Sequence, residues 1–146
     1  MSENLTIRKE RQINADVEKV WGILTETSTD WNGIKIETTS DWIPNSDITF
    51  SFTWDGKKYA DKGKIIQFEK EKIFSYTYWS AFSGLADLPE NYSKVEFLLK
   101  PFENGTILKL THTDFATQIM YEHSDKNWED TLDKIKEKCE KQTTNR

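Results

Sequence analysis

One cysteine, three prolines and six glycines among 146 residues leave this chain almost without covalent staples or special turn residues. Cys139 cannot close an internal disulfide, and no companion stands at metal-ligand spacing, so a disulfide scaffold and a cysteine-based metal centre both lack their parts. It reads as a packed thiol in a reducing compartment. The two histidines, His112 and His123, are too few for a His-rich metal centre. Excess positive charge is also missing: 20 lysines and arginines against 25 acids give a net charge of -5. A nucleic-acid face needs a basic stripe and anionic lipid a polybasic segment, so neither partner is expected. No window approaches the roughly 20 apolar residues of a membrane span. Met1-Ser-Glu-Asn-Leu5 has neither the basic nor the apolar part of a secretory signal, and the expected location is the cytoplasm. There is no Gly-rich phosphate loop, no Gly-x-Ser-x-Gly elbow and no His-Glu-x-x-His, so nucleotide hydrolysis, serine hydrolysis and zinc chemistry lack their residues. No cofactor, metal or catalytic residue is assigned.

What is abundant is aromatic mass. Hydrophobic residues make up only 36%, yet six tryptophans, eight phenylalanines and five tyrosines carry much of that fraction in large rings. Such rings fill a core or line a cavity. The length fits one domain, 1–146, which can bury roughly 70% of the surface its unfolded chain exposes.

The C-terminal quarter organises the rest. A strand over 106–113 runs through Asp114-Phe115 into a long amphipathic helix ending near Lys141, in which Trp128, Leu132, Ile135 and Cys139 form one apolar stripe on a charged rod. A rod with so narrow a stripe needs a broad apolar face to lie on, and the aromatic-rich sheet upstream is the candidate. Residues 5–13 alternate as a partly exposed strand. Asp16 then caps a helix that presents Val17, Val20, Trp21 and Leu24 on one face. The polar run 25–31 reads as a second short helix or a loop anchored by Trp31. Ile34 and Ile36 restart the alternation, and Ile48, Phe50, Phe52 and Trp54 give the cleanest period of two. Asp55-Gly56 signals a hairpin, Gly63 a bulge or a close approach, and 69–72 another turn. The connection 80–91 is long and apolar enough, with Ala81, Phe82, Leu85 and Leu88, to pack at a cavity mouth. Asn104-Gly105 signals a hairpin that sets Val95, Phe97 and Leu99 opposite Leu108, Leu110 and His112.

Several of these segments resemble a known family: Ile13-Asn-Ala15-Asp-Val-Glu-Lys-Val20-Trp21, Gly63-Lys-Ile65, Phe74-Ser-Tyr76-Thr-Tyr78-Trp79, Gly105-Thr-Ile-Leu108-Lys-Leu110-Thr-His112-Thr-Asp-Phe115, and Trp128 before Leu132. In order and spacing they are similar to the Hsp90-ATPase-activator-homologue (AHSA1-like) branch of the START/Bet v 1-like (SRPBCC) superfamily. The resemblance implies an α+β helix-grip fold: a curved antiparallel sheet of about six to seven strands around a long C-terminal helix, with one or two short helices after the first strand. It also implies a cavity that takes lipids, sterols, polyketides or other apolar molecules. The co-chaperone of the family name carries a separate N-terminal domain, whereas one domain is expected in these 146 residues, so the co-chaperone role is expected to transfer poorly.

The helix stripe is thin beside the rings it faces, which is an independent reason to expect a cavity. The expected function is non-enzymatic binding of a small hydrophobic ligand, such as a lipid, sterol or aromatic polyketide, by a monomer or weak dimer. The expected lining is Phe52, Trp54, Tyr76, Tyr78, Phe97, Leu110, His112, Trp128 and Leu132. His112 points inward, as a ligand contact or as a core histidine bonded to Tyr76, Tyr78 or backbone. Two rivals stand beside this reading. One is a cyclase- or hydratase-like enzyme using His112 and a tyrosine as acid and base. The other is a chaperone-cofactor or stress-response interaction module working through the 81–88 loop.

Overall fold

The computed structural model describes residues 5–31 and 33–141, with Trp31 described by its backbone alone. The chain runs β1 (Ile7–Ile13), α1 (Val17–Leu24), β2 (Ser28–Trp31), β3 (Ile34–Ser40), β4 (Asp47–Trp54), β5 (Lys57–Glu69), β6 (Ile73–Tyr78), β7 (Ser93–Phe102), β8 (Gly105–Thr113) and α2 (Gln118–Glu140), with one 3₁₀ turn at Pro89–Asn91. All strand pairs are antiparallel, in the order β1-β8-β7-β6-β5-β4-β3-β2. The sheet curves around α2, the α+β helix-grip architecture that the family resemblance implied.

The local signals explain most elements. Asp16 accepts the Lys19 amide at 2.9 Å and starts α1, whose Val20 and Trp21 are buried. The β4–β5 hairpin turns on Asp55 and Gly56, both at positive φ, the geometry an Asp-Gly pair favours. Across β7 and β8, Val95 pairs His112, Phe97 pairs Leu110 and Leu99 pairs Leu108, as the alternation required.

Three expectations are corrected. The sheet has eight strands, not six or seven. The additional one is β2, which lies in the polar run taken for a helix or loop; its β-branched threonine fits a pleated surface, and it pairs with β3 from Ser28↔Glu37 to Trp31↔Ile34. The anchoring role expected of the Trp31 side chain lies outside the described residues. Among those residues α1 is the one α-helix between β1 and β8. The β7–β8 turn is made by Glu103, at positive φ, and Asn104, while Gly105 already pairs with Phe102 inside the sheet. Gly105 is there for space, since a Cβ on it would sit 2.3 Å from the carbonyl oxygen of Ile13.

The core divides the concave face in two. The buried residues of α2 are Leu132, Ile135 and Cys139, all in its C-terminal half, which packs against β1 and α1. Lys9 and Arg11 of β1 reach the same helix from the edge: Lys9 pairs with Asp125 and Glu129, Arg11 with Glu129 and Asp133. Near α1 an aromatic knot joins Trp21, Trp42, Phe68 and Phe74 at centroid separations of 5.1–6.4 Å. The first half of α2 has no buried residue. It spans the open end of the sheet, and the cavity lies beneath it.

Candidate functional site

Ile36 from β3, Phe50 and Phe52 from β4, Tyr76 and Tyr78 from β6 and Val95 from β7 form the sheet wall of this cavity, and Ser124, Asn127, Trp128 and Thr131 of α2 form its roof. Two adjoining lobes of about 570 and 340 Å³ share Phe52, Asp61, Tyr78 and His112, and both open to solvent. At the mouth of the larger lobe stand Phe82 and Ser83 of the 79–92 connection and Ile119, Met120 and His123 of α2. Phe82 is held there by rings of the β4–β5 hairpin, 4.5 Å from Tyr59 and 5.5 Å from Phe52 between centroids. The long connection therefore packs at the mouth.

His112, on β8, is 4% exposed and fully engaged. The Trp128 indole N–H donates to its Nδ1 at 2.9 Å. Because an indole can only donate, Nδ1 is the unprotonated nitrogen, and Nε2 carries the proton toward Ser93 Oγ at 2.7 Å. Ser93 in turn donates to the carbonyl oxygen of Tyr78 at 3.3 Å. Burial pushes the imidazole down to about 4, so it stays neutral near pH 7. The expected bonds from His112 to Tyr76, Tyr78 or backbone are replaced by Ser93 and Trp128. This relay occupies both ring nitrogens and orients the cavity wall.

Asp61 is the polar residue that the strand pattern did not single out. It is 9% exposed in the middle of β5 and lines both lobes. The Tyr78 hydroxyl donates to one of its oxygens at 2.5 Å and the Ala81 amide to the other at 2.7 Å. Burial raises the carboxyl above its usual range, opposed by those two donors. Burial also raises the Tyr76 and Tyr78 hydroxyls, with Asp61 adding to both, so each phenol remains protonated. A signal for Asp61 existed: Tyr59, Asp61, Gly63 and Ile65 share one parity, and that parity faces inward.

Of the nine residues expected to line the cavity, Phe52, Tyr76, Tyr78, His112 and Trp128 stand in its walls. Phe97, Leu110 and Leu132 are buried in the core beyond it, with Phe97 5.6 Å from Trp128 between ring centroids. Trp54 lies outside, 49% exposed, against Phe82. Asp114 is exposed at the end of β8, and His123 is exposed at the mouth.

A curved sheet that grips a C-terminal helix along half its length, and holds an aromatic cavity under the other half, defines a protein of the Bet v 1-like type. The chain belongs to the family described as Activator of Hsp90 ATPase homolog 1-like protein, whose model matches residues 14–140. Among solved structures, ChR145 from Cytophaga hutchinsonii is 33% identical over 94% of each chain, with a TM-score of 0.77. CV1439 from Chromobacterium violaceum has a TM-score of 0.77 at 19% identity, over 94% of this chain and 98% of that one. The Aha1 dimer from Colwellia psychrerythraea has a TM-score of 0.66 at 21% identity, covering 92% of this chain and 96% of its own. No curated protein matches the sequence. Among the described residues no helix is long and apolar enough to cross a membrane, and no group of three potential metal ligands occurs.

Proposed function

We infer that the protein binds a small, mostly apolar molecule in the cavity between the sheet and the first half of α2. The supporting observation is the contrast along one helix: Leu132, Ile135 and Cys139 are buried, while the preceding turns span an open space of several hundred Å³ walled by aromatic rings. Burying roughly 300 Å² of apolar ligand surface is worth on the order of 7 kcal/mol before association costs. Affinities of about micromolar follow when the wall is preformed, as the His112 relay makes it here. A carrier or sensor needs no more.

The test is an NMR titration with a panel of fatty acids, sterols and aromatic polyketides. The Trp128 indole resonance should shift saturably with at least one class, while that of Trp21, packed against Phe68 and Phe74, stays still. The cavity-filling variant is Thr131→Trp, because Thr131 borders the smaller lobe and is only half-buried. It should remain folded and lose at least about tenfold in affinity. Leu132→Trp is the poorer choice: Leu132 is 0% exposed, so a larger ring there overpacks the core at a cost of about 1–3 kcal/mol. Undiminished binding by a folded Thr131→Trp protein would remove the ligand from this cavity.

A second reading, contact with a chaperone through the exterior, draws on Phe82 and Trp54, which are 55% and 49% exposed and pack edge to face. Capture by purified Hsp90 should fall in Phe82→Ser. Equal capture of variant and wild type would eliminate this patch.

A further inference from the structure

Among the described residues that line the cavity, the hydroxyls and amide of Ser80, Ser124, Asn127 and Thr131 are neutral, and Asp61 is the one acidic side chain. Asp61 places a carboxylate in the wall of both lobes. A carboxylate offers about four acceptor positions, and the Tyr78 hydroxyl and the Ala81 amide occupy two of them. The Tyr76 hydroxyl has no hydrogen-bond partner among the described residues, although the side chain is 8% exposed and lines the smaller lobe. No lysine or arginine among the described residues lines either lobe. His112 is neutral and committed to Trp128 and Ser93, and His123 stands at the exposed mouth, away from the smaller lobe.

A ligand carboxylate brought into this space would be stripped of water beside an existing negative charge, with no lysine or arginine there to receive it. A ligand hydroxyl or ammonium would instead fill an open acceptor position on Asp61 and reach the unpaired Tyr76 hydroxyl. We propose that the cavity selects ligands whose polar end donates hydrogen bonds, an alcohol, phenol or amine on an apolar body, and rejects apolar carboxylates such as fatty acids. This inference rests on the cavity being the ligand site and narrows the ligand within it.

Four probes of nearly one shape separate the two ideas: 2-methylnaphthalene, 2-naphthalenemethanol, 2-naphthylmethylamine and 2-naphthoate, each titrated while following the Trp128 indole resonance. The amine and the alcohol should bind at least about tenfold more tightly than naphthoate. The amine preference should fall severalfold in Asp61→Asn, and the advantage of the alcohol over methylnaphthalene should shrink in Tyr76→Phe. Repeating the series at about 0.5 M salt removes attraction from the overall negative charge of the protein. Naphthoate binding as well as the amine, or a preference unchanged in Asp61→Asn, would overturn the proposal while leaving the cavity as a binding site. If none of the four moves Trp128, the cavity reading fails and this one with it. Should Asp61→Asn not fold, the ranking of the probes on the wild-type protein and the Tyr76→Phe comparison still decide.

Discussion

Gly63→Ala is expected to cost the protein at least about 3 kcal/mol, enough to leave much of it unfolded, because overpacking here meets main chain and not a movable side chain. A Cβ on Gly63 would lie 1.6 Å from the carbonyl oxygen of Thr77 and 2.6 Å from its carbon. The strands cannot part to make room without losing their bonds. On either side of the glycine, Lys62 exchanges backbone hydrogen bonds of 2.8 and 3.0 Å with Trp79, and the Lys64 amide donates to Thr77 Oγ1 at 2.9 Å. The register of β5 against β6 also shifts between Ile65 and Gln67, an irregularity of the kind that bends a strand locally. Gly22→Ala is the control of opposite sign. It lies within α1, a Cβ added to it would meet nothing within 4 Å, and alanine there should stabilise by about 1 kcal/mol. Urea denaturation of the two variants reads both effects, and a Gly63→Ala protein as stable as wild type would show that β5 and β6 do not approach this closely.

Acid should find the protein's weak point at His112. An unfolded imidazole titrates near 6.5, whereas burial holds the native one down to about 4. Between those values the unfolded chain binds the proton and the native protein does not. The stability contributed by neutral His112 is therefore complete above the unfolded value and is lost as the pH falls toward the native one. From about pH 7 to about pH 4.5 the loss is on the order of 2–3 kcal/mol. Protonation also converts Nδ1 from acceptor to donor, which breaks the bond from Trp128 and loosens the cavity wall. His112→Gln should be less stable than wild type near neutral pH but should lose less on acidification. Equal losses in both proteins would separate His112 from the acid transition.

Much of the architecture was legible because it depends on periods and turn chemistry carried by adjacent residues. Asp16 announced α1, Asp55-Gly56 turned the β4–β5 hairpin, and the alternation through Val95, Phe97 and Leu99 set their partners on β8. The stripe Leu132, Ile135 and Cys139 is the buried stripe of α2. Elsewhere tertiary demands displace local ones. Gly105 follows the turn and is a point of contact with Ile13, and the polar run at 28–31, with the local chemistry of a short helix or loop, is a strand because β3 supplies a partner.

The site was legible as a face but not as a space. Parity alone places Tyr76, Tyr78, Phe97, Leu110 and His112 on the inward side, and it cannot tell which of them α2 will cover. Leu110 and Phe97 fall under packed core, while Tyr76 and Tyr78 border the opening. Asp61 was missed for the same reason. A carboxylate set among lysines reads as solvated surface until Tyr78 and Ala81 are brought to it from 17 and 20 residues away.

Side-chain periodicity and local turn and capping chemistry were enough to place the strand faces and the long last helix, while the family and the helix-grip type were carried by the resemblance of several spaced segments to a known family. Only the tertiary structure decided that α2 packs along its second half and stands off along its first, that His112 is spent on Trp128 and Ser93, and that Asp61 faces the cavity. A void and a hydrogen-bond relay are properties of what several distant segments leave open or bring together, and no single stretch of chain encodes either.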